Sequence, residues 1–231
     1  MHSGRTMVLL FCLLMAIVSG RVIPFFTKVG ARLSHVSHPK LLDKTIFCVS
    51  VVGALVFFSS GLFELPLSPA WLMLTAGILH LLRLVFWQSH KTLRIPLLWS
   101  LHLSYLALAI GLILLGLSYL IGSVTFSAAL HLLTIGAMGL MILAMMSRVS
   151  LGHTGRLLQP KPIVSLAFAL MIIAAVTRSL LPLIGLFQLS WQLSTASWVL
   201  ASIIFLCVYT PILIAPVKAA GFNLHNLLNC Y

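Results

Sequence analysis

Apolar residues gather into seven long runs, at 7–20, 45–63, 69–88, 96–117, 127–147, 163–181 and 196–217, with shorter polar stretches between them. Six of these runs hold 19 to 22 residues. About 20 residues rising 1.5 Å each cross a hydrocarbon core of roughly 30 Å. The first run is the weakest, with fourteen residues before Arg21, and it extends towards position 26 through Val22-Ile23-Pro24-Phe25-Phe26. Lipid offers no partner for a free backbone N–H or C=O, so spanning segments of this length are predicted as helices. Barrel strands would alternate apolar and polar residues, and these runs do not. The pattern predicts an all-α fold, a polytopic transmembrane helix bundle of about seven spans. It forms a single domain over residues 1–231, without low-complexity segments, linkers or clear internal repeats.

Composition supports a bilayer over water. Hydrophobic residues make up 61% of the chain and charged ones 7%, more apolar surface than a soluble fold can hide. The formal charge of +12 comes from fourteen Lys and Arg against Asp43 and Glu64 alone. In a soluble protein such a charge points to nucleic acid. Here the basic residues stand between apolar runs, where they report topology. Seven spans place Arg21, Lys28, Arg32, Lys40, Lys44, Arg83, Lys91, Arg94, Arg148, Arg156, Lys161 and Lys218 on one side, and Arg5 and Arg178 on the other. The positive-inside rule then predicts an outside N-terminus and a cytoplasmic C-terminus. A rival reading takes Arg5, Met7–Val18 and Ser19-Gly20 as a signal peptide. Cleavage there would leave the basic segment 21–44 outside, against the bias.

Several chemistries are disfavoured. Cys12, Cys48 and Cys207 lie in apolar runs and Cys230 near the end, with no C-x-x-C pair and no C-x-x-C-H. P-loop, G-x-G-x-x-G and H-E-x-x-H motifs are missing, and no carboxylate lies deep in a span to relay protons. A stand-alone pump or ATPase is not expected. No nucleophile–base pair is visible, so no catalytic residue is assigned.

The histidines carry more information. His80, His102 and His131 fall inside predicted spans, where an ionisable group is costly and usually faces the bundle interior. His80 and His102 both lie roughly 9 to 12 Å below the cytoplasmic side of neighbouring spans. Facing imidazoles there would suit a bis-His haem or a copper ion, although one helix–helix hydrogen bond each would satisfy them as well. His131 begins the fifth span near the opposite side, and Met138 and Met145 follow at seven-residue spacing on the same helical face, a soft-ligand set that suits copper when it is not ordinary packing. Arg83, one turn from His80, either snorkels to the headgroups or meets a propionate. Snorkelling is equally the simple reading of Arg178.

Three segments resemble a known family. His131-Leu-Leu-Thr-Ile-Gly-Ala-Met-Gly-Leu-Met, running on to Ser147-Arg148-Val-Ser-Leu-Gly152-His153-Thr-Gly155-Arg156, is similar to the most recognisable segment of the NnrS family. Gly20-Arg21-Val22-Ile23-Pro24-Phe25-Phe26-Thr27 and Leu98-Trp99-Ser-Leu-His102-Leu-Ser-Tyr105 resemble two others, in family order. The resemblance implies a bacterial inner-membrane protein with haem b and copper, linked to the nitric oxide response and denitrification. It implies roles for His102, His131, His153, Arg21, Arg148 and Arg156. Together with the intramembrane reading, the candidate metal ligands are His80, His102, His131 and His153, and the candidate cofactor-binding cations are Arg21, Arg83, Arg148 and Arg156.

The resemblance covers only the C-terminal part of such proteins. No counterpart of their W-H-A-H-E-M-like motif is present, and a partner supplying the missing N-terminal helices is one expectation. The alternative is a cofactor-free membrane subunit, a degenerate half-protein or a small permease.

Overall fold

The computed structural model describes residues 2–37, 39–63 and 68–216. His38, Glu64, Lys218, His225 and Cys230 lie outside them. Seven helices make up the described chain: α1 His2–Gly30, α2 Lys40–Ser59, α3 Ala70–Phe86, α4 Pro96–Leu120, α5 Phe126–His153, α6 Pro162–Leu180 and α7 Phe187–Ile214. All except α3 are long and apolar enough to cross a membrane. With 17 residues α3 rises about 26 Å, a little short of the hydrocarbon thickness.

Local chemistry sets the helix ends. Pro96 and Pro162 open α4 and α6 in the first turn, where a missing N–H costs nothing. Thr125 caps α5 by accepting the Ala128 N–H. At the end of α5, Arg156 N–H reaches the Leu151 carbonyl at 3.0 Å and Gly155 N–H reaches that of Gly152 at 3.2 Å. That pair of bonds is a Schellman motif, and Gly155 supplies its left-handed residue with φ 66°. A short helical turn beyond α6 closes in the same way at Gly185, φ 80°.

Of the boundaries that differ from the apolar runs, three shift furthest. α1 continues past Pro24 to Gly30, unbroken across Ser19-Gly20. α5 continues to His153 because Ser147, Arg148 and Ser150 are buried by neighbouring helices rather than exposed in a loop. α7 begins at Phe187, nine residues before the predicted run, because Ser190 and Ser194 turn inward; Ser190 donates to the Thr177 carbonyl of α6 at 3.1 Å.

α4 is the central helix, touching α1, α3 and α5, while α6 and α7 pack as a pair against α5. Small residues allow the closest approach. A Cβ on Gly77 would stand 2.7 Å from the Ala109 carbonyl oxygen, and one on Gly116 the same distance from that of Ala70. In lipid such contacts replace hydrophobic driving force as the basis of helix association. Large apolar side chains such as Phe25, Trp71, Ile142 and Trp198 point outward instead. The α1–α2, α3–α4 and α5–α6 connections share one end of the bundle, and it carries most of the basic residues.

Candidate functional site

The basic half of the bundle encloses a polar cluster built from four helices. His80 and Arg83 project from α3 one turn apart and Tyr105 faces them from α4, each almost fully buried. The Arg83 guanidinium, which only donates, reaches the Tyr105 oxygen at 3.2 Å and the Ala16 carbonyl of α1 at 3.2 Å. Its Nη2 lies 2.8 Å from Asp43 Oδ1 of α2. His80 Nδ1 stands 2.6 Å from the Tyr105 oxygen. With the Tyr105 hydroxyl accepting from Arg83 and donating its own proton to His80 Nδ1, the hydroxyl is satisfied on both sides and the His80 proton sits on Nε2; this tautomer is assigned from the hydrogen-bond pattern. Gly20 makes the cluster possible, because a Cβ there would fall on the guanidinium.

His102 belongs to the next layer. Its Nδ1 donates to the Leu98 carbonyl at 3.0 Å, so Nε2 accepts, and the Thr27 hydroxyl of α1 donates to it over 3.4 Å. The two imidazoles do not share one depth, as the sequence predicts they would: His102 meets Trp87 at the end of α3, while His80 lies roughly 9 Å deeper, and aromatic rings connect them. Trp87 packs edge-on to His102 and, at 4.6 Å between centroids, against Tyr105, which meets His80 edge-on in turn.

The remaining candidates lie elsewhere. His131 is half-buried near the opposite end of the bundle, its Nδ1 donating to the Ser127 carbonyl at 2.6 Å. The eight residues that follow, Leu132–Gly139, wind as a π-helix. Bonds from i to i+5 widen each turn, so seven residues no longer return to one face and the stripe from His131 to Met138 predicted for an α-helix is lost. His153 is exposed in the last turn of α5, where a loop beyond the fifth span is expected from sequence. Arg148 is buried, its guanidinium 3.6 Å from the centre of the Phe26 ring. Arg156 follows the α5 cap and, with Lys161 and Tyr209, lines an open cavity of about 600 Å³ between α5 and α7. Arg21 is exposed on α1 and shares an outward-opening groove with Arg83.

Sequence reasoning passes over Asp43, Tyr105 and Trp87. Asp43 stands in the first turn of α2, too near the end to count as intramembrane, and only the packing of α2 against α3 brings it to Arg83. Arg83 therefore does not snorkel. Arg178 is placed over the Trp191 ring, 5.2 Å from its centre.

The chain matches the family described as NnrS protein over residues 1–216. It belongs to the NnrS family. No curated protein and no solved structure matches it.

The NnrS resemblance implies haem and copper, and the side chains present permit a test of fit. His102 and His131 each fix one ring N–H on a carbonyl, as metal-ligating imidazoles do, but the other nitrogen of His102 already meets the Thr27 hydroxyl. They stand at opposite ends of the bundle, however, and among the described residues no three His, Cys, Asp or Glu side chains form a group able to hold a metal. Beside His80 the chamber measures about 20 Å³, room for a water and far below the roughly 300 Å³ at which ligand pockets begin. The described residues by themselves do not fit an enclosed haem or a three-ligand copper site.

Proposed function

We propose that this NnrS-family chain acts in the bacterial inner membrane in the response to nitric oxide, and that haem and copper are held jointly with ligands from a partner polypeptide. One observation carries the partner requirement: His102 is buried with one ring N–H fixed on the Leu98 carbonyl, only the Thr27 hydroxyl at 3.4 Å faces its Nε2, and among the described residues it belongs to no group of three possible ligands. A lone oriented imidazole is half of a ligand set. Nitric oxide is small, neutral and lipid-soluble, so a site within the bilayer is well placed to meet it. In this reading Arg83, Tyr105, Asp43 and His80 hold α1 to α4 in place and fix the ring layer on which His102 rests. The basic loops face the cytoplasm and the N-terminus faces outward, following the positive-inside bias.

A second reading, a cofactor-free subunit or small permease, draws support from the hydrogen bonds that already satisfy His80 and His131 on one ring nitrogen and His102 on both. One experiment separates the two. The chain is isolated from its native membrane under conditions that retain partners, and separately alone, and each preparation is assayed for a Soret band and for copper. The proposal expects haem or copper in the native assembly, its loss in His102→Ala, and neither group in the folded chain alone. Stoichiometric haem or copper in the chain alone would overturn the partner requirement. Metal-free native assemblies would favour the cofactor-free reading.

A further inference from the structure

Between α1 and α2, at the basic end, an open groove of about 340 Å³ faces outward from the bundle. Arg21, Lys44 and Arg83 line it together with Asp43. Three cations meet one carboxylate, and that carboxylate is committed to Arg83. Arg21 and Lys44 are exposed at the mouth, and among the described residues no carboxylate balances them. Arg83 is 6% exposed, and its Nε lacks a partner even though the rest of the guanidinium is bonded. The walls below the cations are apolar, with Ile17 of α1 and Phe47 of α2 both exposed to the outside.

Depth places these charges at the lipid boundary. Lys44 lies about one turn inside α2, and Arg83 occupies the last turn of α3. Gly20 touches Arg83, so Arg21 is level with both. With 29 residues α1 rises about 43 Å, well beyond a 30 Å core, and the nine residues from Val22 to Gly30 run on past this level. A free anion needs only the cations. The apolar walls that continue from them match acyl chains, and basic pockets between helices on the cytoplasmic side are where anionic headgroups bind.

We propose that the α1–α2 groove binds one anionic phospholipid, its phosphate between Arg21 and Lys44 and an acyl chain along Ile17 and Phe47. The neutral Arg83–Asp43 pair forms the floor, and Arg21 and Lys44 give the site a net positive charge that zwitterionic headgroups do not match.

The full chain, purified in mild detergent, is incubated with phosphatidylglycerol or with phosphatidylcholine of the same acyl chains and examined by native mass spectrometry. One phosphatidylglycerol per chain is expected to survive activation that strips phosphatidylcholine. Attraction to an anionic surface changes about fivefold per basic residue, so the pair Arg21→Ala and Lys44→Ala should weaken retention about 25-fold. The charge-conserving pair Arg21→Lys and Lys44→Arg should retain the lipid, and Arg178→Ala, at the opposite end, should leave it unchanged. If the alanine pair does not insert, Lys44→Gln alone should still weaken retention about fivefold. Equal retention of the two lipids would overturn the proposal, as would retention that ignores the loss of Arg21 and Lys44. Displacement of the lipid by millimolar inorganic phosphate would overturn it too, assigning the cations to a free anion.

Discussion

At the scale of single residues, Tyr105 is the junction of the buried cluster. Its hydroxyl accepts from Arg83 and donates to His80, so one oxygen serves two groups that lipid cannot satisfy. Tyr105→Phe keeps the ring and its contact with Trp87 but leaves an imidazole nitrogen and a guanidinium N–H without that partner. Buried polar groups left in this state cost about 1–3 kcal/mol. Tyr105→Phe is therefore expected to lower the midpoint of thermal unfolding in detergent, whereas Ser118→Ala, which removes only a bond to the carbonyl three residues back, should barely change it. Equal midpoints for the two variants would show that the cluster does not stabilise the bundle. The types of residue involved were legible from the chain: His80 and Arg83 stand one turn apart inside an apolar run. Their partners were not, because Asp43 and Tyr105 come from other helices and reach them only through packing.

At the scale of elements, the basic segment after the fifth run shows how a helix end changes the meaning of a motif. As sequence, Gly152-His153-Thr154-Gly155 lies just beyond the fifth apolar run, where a glycine-flanked loop would bring backbone close to a bound group. As structure, Gly152 and His153 close the last turn of α5, Thr154 folds back onto the Ser150 carbonyl at 2.7 Å, and Gly155 alone carries a positive φ. The two glycines should respond differently. Gly155→Ala forces a Cβ into the left-handed region at about 1–2 kcal/mol. Gly152→Ala meets nothing nearer than Leu158 at 3.9 Å and should be neutral or stabilise by up to about 1 kcal/mol. Thermal unfolding of both variants measures the difference, and equal effects would remove the Schellman cap from this account. The π-segment Leu132–Gly139 is a second feature of this scale. Gly136 meets Ala107 of α4 and Ala175 of α6 at 3.0 and 3.1 Å from its Cβ position, so the wide turn sits at a three-helix contact.

At the scale of the whole molecule, the bundle separates its charges by end. Nearly all the basic side chains gather at the end where α1, α3 and α5 finish, and the other end holds Arg5 and Arg178, each over an aromatic ring. The orientation this bias implies is directly measurable. Alkaline phosphatase, active only outside the cytoplasm, is expected to be active when fused within the α4–α5 connection and inactive within the α3–α4 connection. A fluorescent protein that matures only in the cytoplasm should give the reverse at the same two points. Reversed activities would invert the topology and move the α1–α2 groove to the outer leaflet.

The sequence by itself determined the number of helices, their approximate positions, the charge asymmetry and family membership. Apolar length and basic loops are local properties that add along the chain, and the bilayer reads them segment by segment. Helix ends were legible only to within a turn or more, since Ser147 to Ser150 and Ser190 to Ser194 look like loop until neighbouring helices bury them. The tertiary structure alone decided that Arg83 is ion-paired to Asp43, that Trp87 and Tyr105 separate His80 from His102, and that His131 stands apart from both. Side-chain convergence depends on how each helix is rotated and how closely it packs. Gly20, Gly77 and Gly116 set those distances by what they lack, and a missing side chain leaves no mark in a pattern of apolar and polar positions.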